Sequence, residues 1–234
     1  MLGDLGTHIN WYISIMVSIA HLENCAAKHL HHFINPIGPR SFATYDRQGD
    51  SSVFSPLDAL APALLDAPLK SKEVNLMFSG IEENQYNTLR VAIEKCLQEL
   101  ASITYQSGEV LDFASADLSG GTGPWALVKA CYIASDSTPN IKASKVSKML
   151  HRKQPTFIPI IDSKLVSFYD LTMREPGRYW SALQTDFRAN QEFLNELAKG
   201  VTTSEGKQIS SLRVADIVIW EHIVTGCQMN EVVI

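Results

Sequence analysis

The chemistry that this sequence offers centres on a basic stretch that ends at a single carboxylate. No acidic residue lies between Asp136 and Asp162. Five residues in this interval are basic: Lys142, Lys145, Lys148, Arg152 and Lys153. The formal net charge of the chain is -5, so the stretch is a local reversal of charge. Clustered cations bind phosphate groups, and a carboxylate can stabilise developing positive charge or deprotonate a water molecule.

Both features also have interpretations that involve no chemistry. Asp162 is followed by Ser-Lys-Leu at the start of a predicted helix. This pattern is typical of an N-cap, which stabilises a helix by about 1 kcal/mol without any catalytic role. A lysine-rich helix face commonly contacts only water. The residues alone leave a binding surface and a solvated surface both open.

Two predicted helices joined by a tight turn position the basic stretch. Thr138-Pro139-Asn140 has the composition of a turn, and asparagine tolerates the left-handed conformation. A helix over about 142–152 follows the turn, and an extended apolar segment leads from it to Asp162. The predicted buried face of this helix carries small and aliphatic side chains at helical spacing: Ala143, Val146, Met149 and Leu150.

Helical spacing of apolar residues dominates the rest of the chain, so the sequence predicts an all-α fold. No series of alternating β-type segments occurs. The other predicted helices lie at about 8–35, from 55 onward, 70–79, 82–105, 125–134, 163–174, 177–199 and 209–225. Ser55-Pro56 supplies a cap and a first-turn proline. We expect residues 36–55 to form a long irregular connection and the glycine-rich residues 119–124 to form a plain turn.

The arrangement of residues 122–175 resembles the core of the helix-hairpin-helix DNA glycosylases, the superfamily of endonuclease III and 8-oxoguanine glycosylase. The shared features are a helix, a tight turn, a second helix, a proline-containing apolar link and an aspartate at a helix start. The turn has Pro139 and Asn140 where that superfamily has glycine. The resemblance implies two helical subdomains around a cleft, approximately 1–54 plus 177–234, and 55–176 with the hairpin at 125–152.

The resemblance also implies roles for individual residues. Asp162 corresponds to the catalytic aspartate, which would stabilise the cationic sugar as the base departs. Lys142, or Lys145 if the helix is shifted by one turn, corresponds to the Schiff-base lysine of members with lyase activity. The implied DNA-binding residues are Thr138, Asn140, Lys142, Lys145, Lys148, His151 and Arg152. The aromatic candidates for stacking on a flipped base are Trp125, Tyr132, Tyr169 and Trp180.

On this resemblance we expect a monomeric enzyme that excises a modified or damaged base from double-stranded DNA, in repair or in defence against modified phage DNA. The segment 148–163 also resembles uncharacterised bacterial proteins with the pattern Lys-Leu-Leu-x-Arg-Lys-Arg-Pro-x-x-Ile-Pro-x-x-Asp-Ser. Two alternatives remain open: a helix-hairpin-helix module that binds DNA without catalysis, and a helical protein-interaction domain.

We expect no metal and no cofactor. The four cysteines, Cys25, Cys96, Cys131 and Cys227, form no close pair, so they are predicted to be reduced and mostly buried. His29, His31 and His32 include no pair of histidines one full turn apart, which a zinc-binding helix would need. The four-cysteine iron–sulfur loop of endonuclease III is absent.

The apolar run at 9–22 predicts a buried helix. It is shorter than the roughly 20 residues that span a bilayer, and polar residues interrupt it. No basic residue precedes it, unlike in a secretory signal. We therefore expect a cytoplasmic protein with no membrane partner.

Overall fold

The computed structural model describes residues 17–34, 45–46, 52–202 and 208–227, and most of these residues are helical. The α-helices are α1 (Glu23–Ile34), α2 (Pro56–Leu60), α3 (Ser71–Met77), α4 (Gln85–Ser107), α5 (Pro124–Asp136), α6 (Ala143–His151), α7 (Ser163–Phe168), α8 (Pro176–Ala189), α9 (Gln191–Lys199) and α10 (Ser211–Thr225). Short 3-10 helices at Ile19–Leu22 and Ala61–Leu65 adjoin α1 and α2. The described ranges contain no β-strand, only an isolated bridge between Thr202 and Gln208. The predicted all-α fold is confirmed.

Side-chain caps fix several helix starts. The Ser55 hydroxyl accepts a hydrogen bond from the Asp58 amide, and Pro56 occupies the first turn of α2, as predicted. Asn84 caps α4 through the Asn87 amide in the same way. Local sequence therefore determines where these helices begin.

Two predicted helices were too long. The helix predicted at 163–174 ends at Phe168, because Asp170 is left-handed with φ 53° and the Leu171 amide donates back to the Val166 carbonyl. This is the arrangement of a Schellman motif, which ends a helix. The helix predicted at 177–199 divides at Asn190. The side-chain amide of Asn190 donates to the Asp186 carbonyl and so competes with the helical hydrogen bonds.

Helix α10 lies at the centre of the described structure. It packs against α1, α7 and α9. Its buried side chains come from almost every face of the helix: Leu212, Val214, Ala215, Ile217, Val218 and Ile219. A helix that is apolar all round must be covered by neighbours. Phe33 of α1, Asp162 at the start of α7 and Trp220 of α10 thereby come to line one cleft.

The buried residues form one continuous cluster that includes members from both predicted subdomains. The predicted residues 8–16 of the first helix, and most of the predicted connection at 36–55, lie outside the described residues. Among the described residues, no helix is both long enough and apolar enough to cross a membrane.

Candidate active site

Asp162 is the N-cap of α7, and its two carboxylate oxygens have different partners. One oxygen accepts a hydrogen bond from the Lys164 amide at 3.0 Å, which is the capping contact that the sequence predicts. The other accepts from the Lys148 ammonium, also at 3.0 Å. The side chain of Asp162 retains 19% exposure. Capping therefore leaves part of the carboxylate accessible.

Lys148 is the buried cation of this pair. Its side chain is only 3% exposed, and its ammonium also donates to the Leu65 carbonyl at 3.0 Å. The Tyr45 hydroxyl donates to the backbone carbonyl of Lys148 at 2.6 Å, which ties the lysine to a second buried residue. A buried ammonium is stable only when it is paired and hydrogen-bonded. The prediction that Lys148 contacts DNA phosphates is therefore wrong, because the fold turns this lysine inward.

A cleft of about 360 Å³ opens beside the pair. A volume of this size lies in the range of sites for small molecules. Asp162, Lys148 and Lys164 line it together with Phe33 from α1 and Trp220 from α10. The two aromatic rings meet edge to face, with centroids 6.3 Å apart. The cleft thus combines an ion pair with a flat apolar wall.

A second carboxyl group, that of Asp216, also lines the cleft but is itself almost completely buried. Burial raises the pKa of Asp216 well above its usual range, although the Arg213 guanidinium and the Ile160 amide oppose this shift. Neither carboxyl oxygen has a hydrogen bond of normal geometry within the described residues. The environment of Asp216 therefore favours the protonated acid.

Arg213 belongs to the same group of buried charged residues as Asp216. Its guanidinium donates to the Asp46 carboxylate at 2.9 and 3.3 Å. It also lies over the rings of Phe33 and Tyr45, at 5.3 and 5.2 Å from their centroids. These contacts hold α1, α10 and the segment at 45–46 together behind the cleft.

Two helices, α5 and α6, occupy the region of the predicted hairpin, and residues 137–142 connect them. Asn140 takes the left-handed conformation, with φ 59°, as its residue type predicts. The Lys142 ammonium donates to three carbonyls at the end of α5, those of Ser135, Asp136 and Thr138. Lys142 therefore caps a helix end, and it lines a different cavity from Asp162. The structure does not bring Lys142 to Asp162, and Lys145, the alternative nucleophile, lines neither cavity.

Most of the predicted DNA-binding surface is not available to DNA. His151 is completely buried, and its Nδ1 hydrogen donates to the Ile158 carbonyl at 2.6 Å. Arg152 lies 3.6 Å from Asp58, and Lys153 lies 3.0 Å from the same carboxylate. Thr138 is buried and donates to backbone carbonyls. The proposed phosphate contacts of Thr138 and His151 are therefore wrong, because both side chains are buried, and Arg152 lies beside the Asp58 carboxylate instead of on an open cationic surface.

The exposed part of the basic stretch faces a second groove. Lys142 is exposed there, and Lys129 and Arg174 join it along a cavity of about 760 Å³ that also contains Asp136. Asn140 is exposed at the tip of the turn, and Lys145 is half-buried on α6. These residues remain the accessible polar groups of the hairpin.

The four aromatic residues predicted to form the base pocket do not line the Asp162 cleft. Trp180 is completely buried and packs on Trp125 with ring centroids 4.4 Å apart. Tyr169 donates its hydroxyl to Asp186. Trp125 and Tyr132 contribute to the second groove instead. Sequence reasoning missed Phe33 and Trp220, which are distant in the chain from Asp162 and carry no local signal of a site.

The prediction that all four cysteines are reduced and unpaired is also wrong for two of them. The structure joins Cys25 and Cys227 in a disulfide across 202 positions of sequence. Packing of α1 on α10 brings them together, which spacing along the chain cannot reveal. Cys96 and Cys131 are free and buried, as predicted.

Comparison with known proteins gives a family but no relative of known activity. No curated protein and no solved structure matches the chain significantly. Residues 26–223 match the model of the Family of unknown function (DUF6308). This match includes Asp162, Lys148 and both aromatic residues of the cleft, and it spans more than four fifths of the chain. The protein therefore belongs to the DUF6308 family.

Proposed function

We propose that the protein is a DNA glycosylase that hydrolyses the N-glycosidic bond of a flipped base, with Asp162 as the catalytic carboxylate. The observation that carries this proposal is the position of Asp162 at the rim of the 360 Å³ cleft, with its side chain 19% exposed. A carboxylate buried wholly inside a helix terminus could not reach a sugar. This one has an accessible edge.

The chemistry requires an anion close to the sugar. As the base departs, positive charge develops on the sugar carbon and ring oxygen, and a nearby carboxylate stabilises it. The same carboxylate can orient and deprotonate the attacking water molecule. The Lys148 ammonium at 3.0 Å holds the Asp162 carboxylate in place between the helix start and the cleft. Lys148 is thus a positioning residue.

The structure favours water over a lysine as the nucleophile. The Lys148 ammonium already donates to Asp162 and to the Leu65 carbonyl, and the Lys142 ammonium donates to three carbonyls. A Schiff base needs an uncharged amine with a free electron pair. We therefore assign simple hydrolysis, without strand cleavage by an enzyme lysine.

The walls of the cleft suit a flat ring. Trp220, which is half-buried, provides an apolar ring on which a base could stack, and stacking of this kind tolerates different bases. The carboxyl of Asp216 lies deeper, and both of its oxygens are buried behind the surface of the cleft. Trp220 replaces the aromatic set that the sequence suggested.

A DNA-binding module without catalysis is the second candidate, and the groove of Lys129, Lys142 and Arg174 favours it. Exposed cations around a hairpin can hold a phosphate backbone whether or not Asp162 is catalytic. Under this alternative, Asp162 serves only as a cap and as the partner of Lys148.

Incubation of the protein with duplexes that carry different modified bases distinguishes the two candidates. A glycosylase produces alkali-labile abasic sites in at least one duplex, and borohydride traps no covalent protein–DNA adduct. A binding module shifts the same duplexes in a gel and releases no base. Release of a base together with a trapped adduct would contradict the assignment of water as the nucleophile.

A further inference from the structure

A second group of reactive side chains lies where α1 meets the end of α10, outside the Asp162 cleft. It consists of Cys25 and His29 from α1, His222 from α10 and Cys227 just beyond it. One potential ligand atom from each residue lies within 4.8 Å of the other three. Two cysteine sulfurs and two imidazoles therefore converge on one point.

We propose that, in the reduced protein, these four side chains bind one structural Zn²⁺ ion. Two cysteine sulfurs and two histidine nitrogens make a common tetrahedral zinc ligand set. At zinc–ligand distances of about 2.0–2.3 Å, tetrahedral ligand atoms lie roughly 3.3–3.8 Å apart. In the structure Cys227 Sγ lies 3.1 Å from His222 Nδ1 and 3.8 Å from His29 Nε2.

The sequence spacing of the ligands fits this geometry. Cys25 and His29 are four positions apart on α1, so both side chains project from the same face of that helix. His222 is in the last turn of α10, and the chain turns at Gly226, with φ 69°, before it reaches Cys227. Each half of the site therefore comes from a short local segment, as in many zinc sites.

The two histidines are the evidence for a metal as opposed to a disulfide alone. A disulfide between Cys25 and Cys227 requires only the two sulfur atoms. It gives no reason for imidazoles from two different helices to approach the same sulfur. The two rings also face each other edge to face, with centroids 6.1 Å apart.

The site has access to solvent and a defined structural effect. A cavity of about 180 Å³, also lined by Lys28 and His32, opens beside Cys25, His29 and Cys227. With four protein ligands, the ion would be structural, since a catalytic zinc keeps one position open. It would clamp α1 to α10, the helices that supply Phe33 and Trp220 to the cleft. This inference does not depend on the proposed reaction.

Metal binding and the disulfide are alternative chemical states of the same sulfur atoms. A dithiol reductant supplies two electrons and two protons to the Cys25–Cys227 bond and is itself oxidised to a cyclic disulfide. Zn²⁺ then displaces the two thiol protons, which pass to solvent. The full chain reduced by a dithiol, and then freed of the reductant, is the form that binds the ion.

The test is metal binding by the full-length, reduced wild-type chain. Zinc titration monitored by elemental analysis should give one ion per chain. Co²⁺ should give the intense visible bands of a tetrahedral site and a near-ultraviolet thiolate-to-cobalt band. Binding of substantially less than one ion, or octahedral cobalt spectra without the thiolate band, would overturn the proposal.

Variants locate the site. Cys25→Ser and His222→Ala should each weaken zinc binding by at least about 100-fold, since even residues that only support a zinc ligand contribute 10–100-fold. His31→Ala is the matched control, because His31 is exposed on the same helix and is not in the ligand group. Stoichiometric metal in the folded Cys25→Ser variant would overturn the proposal. So would a Cys25–Cys227 disulfide that persists in wild-type protein after treatment with the reductant.

Discussion

The ion pair between Lys148 and Asp162 can be measured directly by a double-mutant cycle of Lys148→Met and Asp162→Asn. The two charged groups are 3.0 Å apart, and their side chains are 3% and 19% exposed. Met fills nearly the same volume as Lys, and Asn keeps the ability to cap α7. The two substitutions therefore remove the charges with little change in shape or capping.

The expected magnitudes follow from burial. Asp162→Asn leaves a buried ammonium with the Leu65 carbonyl and a neutral amide as its partners, so we expect a loss of about 3 kcal/mol in the free energy of unfolding. Lys148→Met leaves a carboxylate that is still one-fifth exposed and still bonded to the Lys164 amide, so the loss should be smaller, about 1–2 kcal/mol. The coupling energy between the two sites should be about 1.5–3 kcal/mol.

Urea denaturation followed by circular dichroism provides the four free energies of unfolding. For a chain of this length, each kcal/mol should also change the melting temperature by about 2–4 °C. Lys164→Met is the control, because Lys164 is an exposed neighbour, and its free energy of unfolding should change by less than about 0.5 kcal/mol. A coupling energy below about 0.5 kcal/mol would mean that the two groups form no buried pair, and the reasoning about the site would be refuted.

Two further predictions concern pH and DNA binding. Burial lowers the pKa of His151 to about 3, so below pH 6.5 the unfolded chain takes up a proton that the folded chain does not. The free energy of unfolding should therefore fall as the pH drops from 7 to 5, and His151→Gln should remove about 2 kcal/mol of that fall. An equal pH dependence of the free energy of unfolding in the two proteins would contradict this prediction. DNA binding should weaken with salt, and Lys142→Glu with Arg174→Glu should reduce both the affinity and the salt dependence in a fluorescence anisotropy titration. Lys72→Glu, at an exposed lysine that lines neither cavity, should have a smaller effect. An unchanged salt dependence in the double variant would exclude the second groove as the DNA surface.

Local sequence signals correctly predicted several helix starts and one turn. The N-cap at Asp162, the turn at Asn140 and the start of α2 at Ser55-Pro56 each follow from the preferences of a few neighbouring residues. Such preferences act over one helical turn, so they are visible in the chain itself.

The partners of the charged residues were not visible in the same way. Lys148, Arg152 and Lys153 look like a solvent-facing cationic run, but the fold pairs them with Asp162 and Asp58. A count of charges along the chain cannot include carboxylates that come from other elements. The burial of Lys148 and Lys153 is a property of tertiary packing.

The group of four potential metal ligands was not visible in the sequence, for a related reason. No two histidines of the first helix are four positions apart, whereas Cys25 and His29 have that spacing. The other two members, His222 and Cys227, come from the opposite end of the chain. Only the contact between α1 and α10 completes the group.

The most direct test of the central claim is release of a base by wild-type protein and by the Asp162→Asn variant. Both proteins are incubated with the duplex that yields abasic sites, and the single-turnover rates are compared, with the fold of the variant checked by circular dichroism. We predict a rate at least about 100-fold lower for the folded variant, because Asn cannot supply the negative charge that stabilises the sugar cation. A folded variant that releases the base at the wild-type rate would contradict the assignment of Asp162.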